Sequence, residues 1–184
     1  LQGKGVSYCA TCDGPFYRDQ EIAVVGGGNT AIQEAIHLTK FAKKVTVIHR
    51  RDSLRATAIL QEKAFAEEKI DFIWDAQVKE IVGTDGVESL TISHKDGSTS
   101  NLAVTGIFIL IGVVPNNEAL PLDQLQADES GFLVTDGEMC TNLPGVFAAG
   151  DIRSKNFRQI INAAGEGANA ELAAEHYLGT LQES

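Results

Sequence analysis

The sequence is short of most features that would mark a specialised chain. Its 184 residues include one Met, one Trp, four Pro and three Cys. Three cysteines do not make a disulfide framework in a chain of this size. No apolar run approaches the roughly 20 residues a membrane span needs. The longest, residues 106–115, has the length of a strand. Leu1-Gln2-Gly3-Lys4-Gly5 has no apolar core behind its charge, so no secretory signal is expected. There is no initiator Met, and Leu1 reads as a cut boundary. Repeats and low-complexity tracts are missing too. Positive charge is scarce: 15 Lys and Arg stand against 25 Asp and Glu, a net charge of −10. That balance argues against a nucleic-acid binder. The deficit is uneven, however. Residues 1–63 hold 9 basic and 6 acidic side chains, and residues 64–184 hold 6 and 19. The basic first third can hold one small anionic ligand. What remains is ordinary: 43% hydrophobic and 22% charged residues, the balance of a soluble globular chain with one large or two small domains.

Periodicity divides the chain. Residues 21–26 read as a short buried strand running into glycines, and 28–41 as a helix with apolar Ala31, Ile32, Ala35, Ile36 and Leu38 at three- and four-residue spacings. Residues 45–48 are β-branched throughout and read as a second strand. A second amphipathic helix is predicted over 56–68 and a third strand over 70–74. Strand, helix, strand, helix, strand implies parallel pairing through right-handed crossovers. The pattern then changes to three short strands, 77–82, 87–94 and 99–104, with a hairpin signal at Asp96-Gly97. A buried strand follows at 107–111. Pro115-Asn116-Asn117 marks a domain boundary. Residues 118–150 read as loop ending in a strand at 145–150, and 157–178 as a last helix with an unusually small middle.

Three motifs carry chemistry. Gly26-Gly27-Gly28-Asn29-Thr30-Ala31 is a G-x-G-x-x-A between a predicted strand and helix. Gly26 permits the tight turn, Gly28 clears a path for pyrophosphate, and Ala31 allows close packing. The free N–H groups of the helix N-terminus then meet the phosphates. About 20 residues on, an NAD site places a carboxylate for the ribose diol. Here that place holds His49, Arg50 and Arg51, with Arg55 four residues later. Cations there suit a 2′-phosphate, so NADP(H) is favoured over NAD(H). Cys9-Ala10-Thr11-Cys12 can cycle between dithiol and disulfide. Asp13 disfavours a thiolate and is assigned proton transfer. Zinc usually needs four ligands, and Cys140 with four scattered histidines gives no second pair, so no metal is expected. A pair of inert core cysteines is the other alternative. The third motif, residues 145–151, ends in Gly150-Asp151 and can set a carboxylate on a ribose or ribityl hydroxyl. A second G-x-G-x-x-A at 165–170 has no strand before it and reads as a small helix face. Cys140 is read as structural, Trp74 and the Phe residues as core. His37, His94 and His176 have no visible partners.

Together these residues resemble the low-molecular-weight thioredoxin reductases. The resemblance rests on Cys9–Gly14, Gly26–Ala31, His49–Arg55, Ile111–Asn116, Gly145–Asp151 and Arg158–Ile160. It implies an α/β fold: a Rossmann-like three-layer NADPH domain over residues 18–112, carrying a small antiparallel β-meander. Residues 1–17 would be the CxxC-bearing segment, and 113–184 the C-terminal half of a second, doubly wound FAD domain. It implies that NADPH reduces FAD, that the flavin reduces a Cys9–Cys12 disulfide, and that the dithiol reduces thioredoxin. Cys12 would face the flavin, Cys9 would attack the partner, and Asp13 would be the acid/base. Gly26, Gly28, Asn29 and Thr30 would hold pyrophosphate, and His49, Arg50, Arg51 and Arg55 the 2′-phosphate. Ile111, Gly150, Asp151, Arg158, Gln159 and Ile160 would line the cofactors. A cytoplasmic homodimer is implied, with hinges near residues 5–7 and 112–115.

A full member of that family opens with an FAD-binding βαβ unit, whereas 25 residues precede Gly26 here. The chain is therefore expected to bind NADPH, to bind FAD weakly unless the missing part is supplied, and to leave residues 113–184 partly disordered or packed against another chain. Two other functions stay open. One is an NADPH-binding module, alone or half of a split assembly, without turnover. The other is a reductase of another dithiol or peroxiredoxin-linked partner.

Overall fold

The computed structural model describes residues 1–182 and divides into two compact units, Leu1–Gly112 and Val113–Ser184. Glu183 and Ser184, the end of the expected second domain, lie outside the described residues.

The first unit is built on a five-stranded parallel sheet. Its strands are β1 (Val6–Ser7), β2 (Glu21–Val25), β3 (Lys44–Ile48), β4 (Ile70–Ile73) and β8 (Gly106–Ile109), in the order β1-β8-β2-β3-β4. Three more strands, β5 (Ala76–Val82), β6 (Ser89–His94) and β7 (Thr99–Ala103), form a separate antiparallel sheet in the order β5-β6-β7. The Rossmann-like sheet and the meander are those expected.

Burial explains why β2 and β3 read as unbroken apolar runs. Alternate side chains leave a strand on opposite faces, and here both faces are covered. Ile22, Val24, Val45, Val47 and Phe108 pack under the helices α2 (Asn29–Leu38) and α3 (Ala58–Phe65), with Ile32, Leu38 and Ala64. Ala23, Ile48 and Ile107 on the other face meet Leu90 and Ile92 of the meander. Burying one such side chain contributes about 1.5–3 kcal/mol, so the two clusters dominate the unit's stability.

Both helices are shorter than their periodicity predicts. Gly28 is the N-cap of α2, with extended backbone, and the helix closes at Thr39. The amide of Ala56 is drawn to Gly27 O and that of Thr57 to Asn29 Oδ1, so α3 starts only at Ala58. Val6 and Ser7, expected in a hinge, pair with Ile107 and Phe108. A short helix α1 (Ala10–Asp13) follows β1, and Gly14 sits against Leu38 and Phe41.

The second unit has a small core of Leu125, Leu133 and Ala148. The strand expected at 145–150 is not formed. A strand needs a neighbour, and this segment has a single bridge, Cys140 to Phe147, before a 3-10 turn at Gly150–Ile152. Val146 N donates locally to Leu143 O, and Ala148 N donates to Met139 O beside the bridge. The long helix α4 (Ile160–Gln182) carries largely exposed Ile160, Ile161 and Leu172. Open space lies above Gly165 and Gly167. Not every Phe is core: Phe16, Phe65 and Phe157 are exposed. His94 has a partner, with its Nε2 2.7 Å from Ser100 Oγ.

Candidate functional site

The end of β2 turns on Gly26, whose φ of +146° is strained for any residue with a side chain. A Cβ there would overlap Leu110 O and come within 2.6 Å of Ala31 Cβ. Gly27 is constrained differently, since a Cβ would lie 2.5 Å from His49 Nδ1. Gly28 faces nothing within 4 Å, so the missing side chain leaves open space directly before α2. There the first amides of the helix are free to meet an anion.

The basic turn after β3 is stitched to this loop. The amides of Arg55 and Ala56 both donate to Gly27 O, at 2.7 and 3.1 Å, and Thr57 N donates to Asn29 Oδ1 at 2.8 Å. The result is one cleft of about 630 Å³ lined by Gly26–Ala31, His49, Arg50, Arg55 and residues 109–112. Gly26, Gly28, Asn29, Thr30, His49, Arg50, Arg55 and Ile111 are thus brought together. Arg51 is exposed and lines no part of the cleft.

His49 differs from its arginine neighbours. It is 4% exposed, lies edge-on to Trp74 and has no partner for Nε2 among the described residues. Burial first, then the charges of Arg55, Arg51 and Arg50, push its pKa below the ordinary value. Its ring packs under the glycine loop, against Gly27, and is hydrogen-bonded to the Ser53 backbone. The cleft therefore fits a dinucleotide with an extra phosphate: it joins open space at the helix N-terminus to two guanidinium groups.

Cys9 and Cys12 form a disulfide, with Cα atoms 5.3 Å apart. Cys9 caps α1, its Sγ accepting from Cys12 N at 3.2 Å. Asp13 N donates to Cys9 O, and the half-buried Asp13 carboxylate adds to the burial that raises the pKa of Tyr17. Neither cysteine lines that cleft. Among the described residues no group of three or more His, Cys, Asp and Glu could hold a metal.

In the second unit, Gly150 has a φ of +79° and presents Asp151, whose side chain is 63% exposed. Arg158 donates to Asp151 O and Arg153 O, and its guanidinium lies 3.9 Å over the Phe132 ring. Gln159 and Ile160 follow, both exposed. An outward carboxylate beside a glycine turn fits the hydroxyls of a ribityl chain. Glu166 anchors the same turn. It accepts from Gly150 N at 2.8 Å, Arg153 Nη1 at 2.9 Å and Lys155 Nζ at 3.0 Å. Burial pushes its pKa up, but the hydrogen bonds from Lys155, Gly150 N–H and Arg153 outweigh it and hold the carboxyl below its usual range. No local motif signals this anchor, which lies 16 residues from the turn it holds.

Fold and site define a class, the dinucleotide-dependent disulfide oxidoreductases. A family model described as pyridine nucleotide-disulphide oxidoreductase matches residues 1–167, and the chain belongs to that family. Within it the chain is similar to thioredoxin reductases. That of Listeria monocytogenes is 51% identical, over 100% of this chain and 58% of the relative; that of Bacillus subtilis is 46% identical over the same shares. The crystal structure of thioredoxin reductase from Streptococcus pyogenes matches with a TM-score of 0.87 at 50% identity, covering 96% of this chain and 58% of that one. The enzyme of Giardia duodenalis matches with a TM-score of 0.84 at 40% identity, over the same shares. The chain thus spans 58% of the length of these relatives. No helix among the described residues is long and apolar enough to cross a membrane.

Proposed function

We propose that the unit Leu1–Gly112 is the NADPH-binding and disulfide-bearing part of a thioredoxin-disulfide reductase. The stitching of the basic turn to the glycine loop around one cleft carries this reading. Amides at the start of α2, with Gly28, Asn29 and Thr30, hold the pyrophosphate. Arg50 and Arg55 hold the 2′-phosphate, the charge-assisted pairing that discriminates NADPH from NADH. His49 supports the loop from below, and Arg51 adds long-range charge.

Cys9 and Cys12 carry two electrons in and out as disulfide and dithiol, and Asp13 moves the accompanying proton. Since neither cysteine lines the cleft, electrons from a bound nicotinamide reach the disulfide through a carrier. A flavin, when bound, supplies that two-electron relay. Asp151, Arg158, Gln159 and Ile160 are the residues of this chain that would hold it. The final acceptor is thioredoxin or a similar small dithiol protein.

The compactness of Leu1–Gly112 on its own supports a second reading, an NADPH-binding module without turnover. The same experiment serves both. The chain is titrated with NADPH and NADH, then assayed for NADPH-dependent thioredoxin reduction with and without FAD. Preferential NADPH binding with thioredoxin reduction in added FAD supports the reductase. Preferential binding without reduction under either condition supports the module, and equal affinity for the two nucleotides overturns both.

A further inference from the structure

We propose that Lys79 is a ligand for the pyrophosphate of the bound dinucleotide, supplied by the meander from outside the glycine loop and the basic turn. The inference rests on the reading of the cleft as an NADPH site.

Residues 76–81 of β5 line the same cleft as Gly26–Ala31, Arg50 and Arg55. β5 is an edge strand, paired only with β6, so its other edge is open. Its ladder is irregular. Val78 pairs with Ile92 and Glu80 with Thr91, which leaves Lys79 without an opposite residue. Such a bulge twists the strand and re-aims a side chain, and bulges gather beside functional sites.

The charge of Lys79 is uncommitted. Lys43, Lys44, Lys95 and Lys155 are in ion pairs with carboxylates, and Lys69 donates to two carbonyls. Lys79 has no hydrogen bond or ion pair among the described residues and is exposed. A free ammonium in a cleft with a helix N-terminus and two arginines suits a phosphate oxygen.

Its place along β5 selects which phosphate. The strand begins at Ala76, whose N–H donates to His49 O at 3.0 Å, at the end of the cleft where Arg50 and Arg55 stand. Ile81, farther along, packs in the cluster that holds Ile48 of β3, Ala23 of β2 and Ile107 of β8. The glycine loop follows β2, the neighbour of β3 in the order β8-β2-β3, and it shares the cleft with residues 76–81 of β5. Three residues at about 3.3 Å each put Lys79 about 10 Å along β5 from Ala76 and its bond to His49, in the cleft it shares with the glycine loop.

The test uses the intact 184-residue chain and the fluorescence of NADPH and NADH. Lys79→Gln is expected to weaken both nucleotides by the same factor, about five-fold, leaving their ratio unchanged. Lys79→Arg restores most of the affinity, and Arg50→Gln weakens NADPH alone. Unaltered circular dichroism and melting confirm that the exposed substitution leaves the fold intact. A Lys79→Gln chain that binds both nucleotides like its parent overturns the proposal. So does one that loses affinity for NADPH alone, which would move the lysine to the 2′-phosphate. Both outcomes leave the dinucleotide reading standing. A parent chain that binds neither nucleotide removes that reading, and this proposal with it.

Discussion

Replacing Gly28 with alanine separates fold from function at the glycine loop. The backbone at this position is extended, with a φ of −90°, so a side chain meets no conformational strain. An added Cβ has nothing within 4 Å, so it also meets no overlap. As N-cap, alanine is somewhat worse than glycine, costing up to about 1 kcal/mol. The narrower unfolded ensemble returns about 0.4–1 kcal/mol. The two nearly cancel, and Tm should move by no more than about 2–4 °C. Binding should respond differently. The methyl group occupies the space a phosphate needs to reach the first amides of α2. Losing one charge-assisted hydrogen bond costs about 1.5–3 kcal/mol, roughly a ten- to 150-fold loss of affinity. The assay pairs a thermal melt with fluorescence titration of NADPH. Gly26→Ala is the control, because strain and overlap at Leu110 O and Ala31 should lower both stability and affinity. A Gly28→Ala chain with undiminished NADPH affinity would refute the placement of phosphate at the α2 N-terminus.

Arg55→Gln should weaken NADPH by about ten-fold while leaving NADH unchanged, and Arg51→Gln should do less because that side chain lies outside the cleft. His49 is buried with a folded pKa below that of the unfolded chain, so the unfolded state binds more protons as pH falls through about 6.5. Stability should be full above that value and decline below it, toward the folded pKa, by at most about 1.4 kcal/mol per pH unit. His49→Gln should flatten this component in melts from pH 7.5 to 5. Thiol titration of the denatured, unreduced chain should find one group, Cys140, and three after reduction. In the folded chain Cys140 should react slowly at neutral pH, because burial, then Asp136 and Glu138, raises its pKa.

The parts of the site legible in sequence are those confined to one loop. Gly26–Ala31 and His49–Arg55 each declare their chemistry within seven residues, and the alternating strand and helix periods put both at the same end of a parallel sheet. What stayed hidden depends on neighbours distant in the chain. Residues 145–150 have strand-like composition but only a single bridging partner, so they remain a loop. The start of α3 depends on the contacts of residues 55–57 with Gly27 and Asn29, not on its own propensity. Adjacent Arg50 and Arg51 are indistinguishable as letters, yet only Arg50 lines the cleft. His49 stands beside the arginines in sequence, but β3 carries it inward, where charge is costly. The irregular pairing at Lys79 exists only once β5 and β6 are laid side by side.

The bonds that join the glycine loop to the basic turn begin on the backbone of residues 55–57, and none uses the side chain of Arg50, Arg51 or Arg55. Those three guanidinium groups can therefore be exchanged for carboxylates or amides while the two loops stay joined. On the proposed reading, preference between phosphorylated and plain nicotinamide cofactors becomes a replaceable surface trait on a fixed frame, open to drift or redesign without refolding the domain.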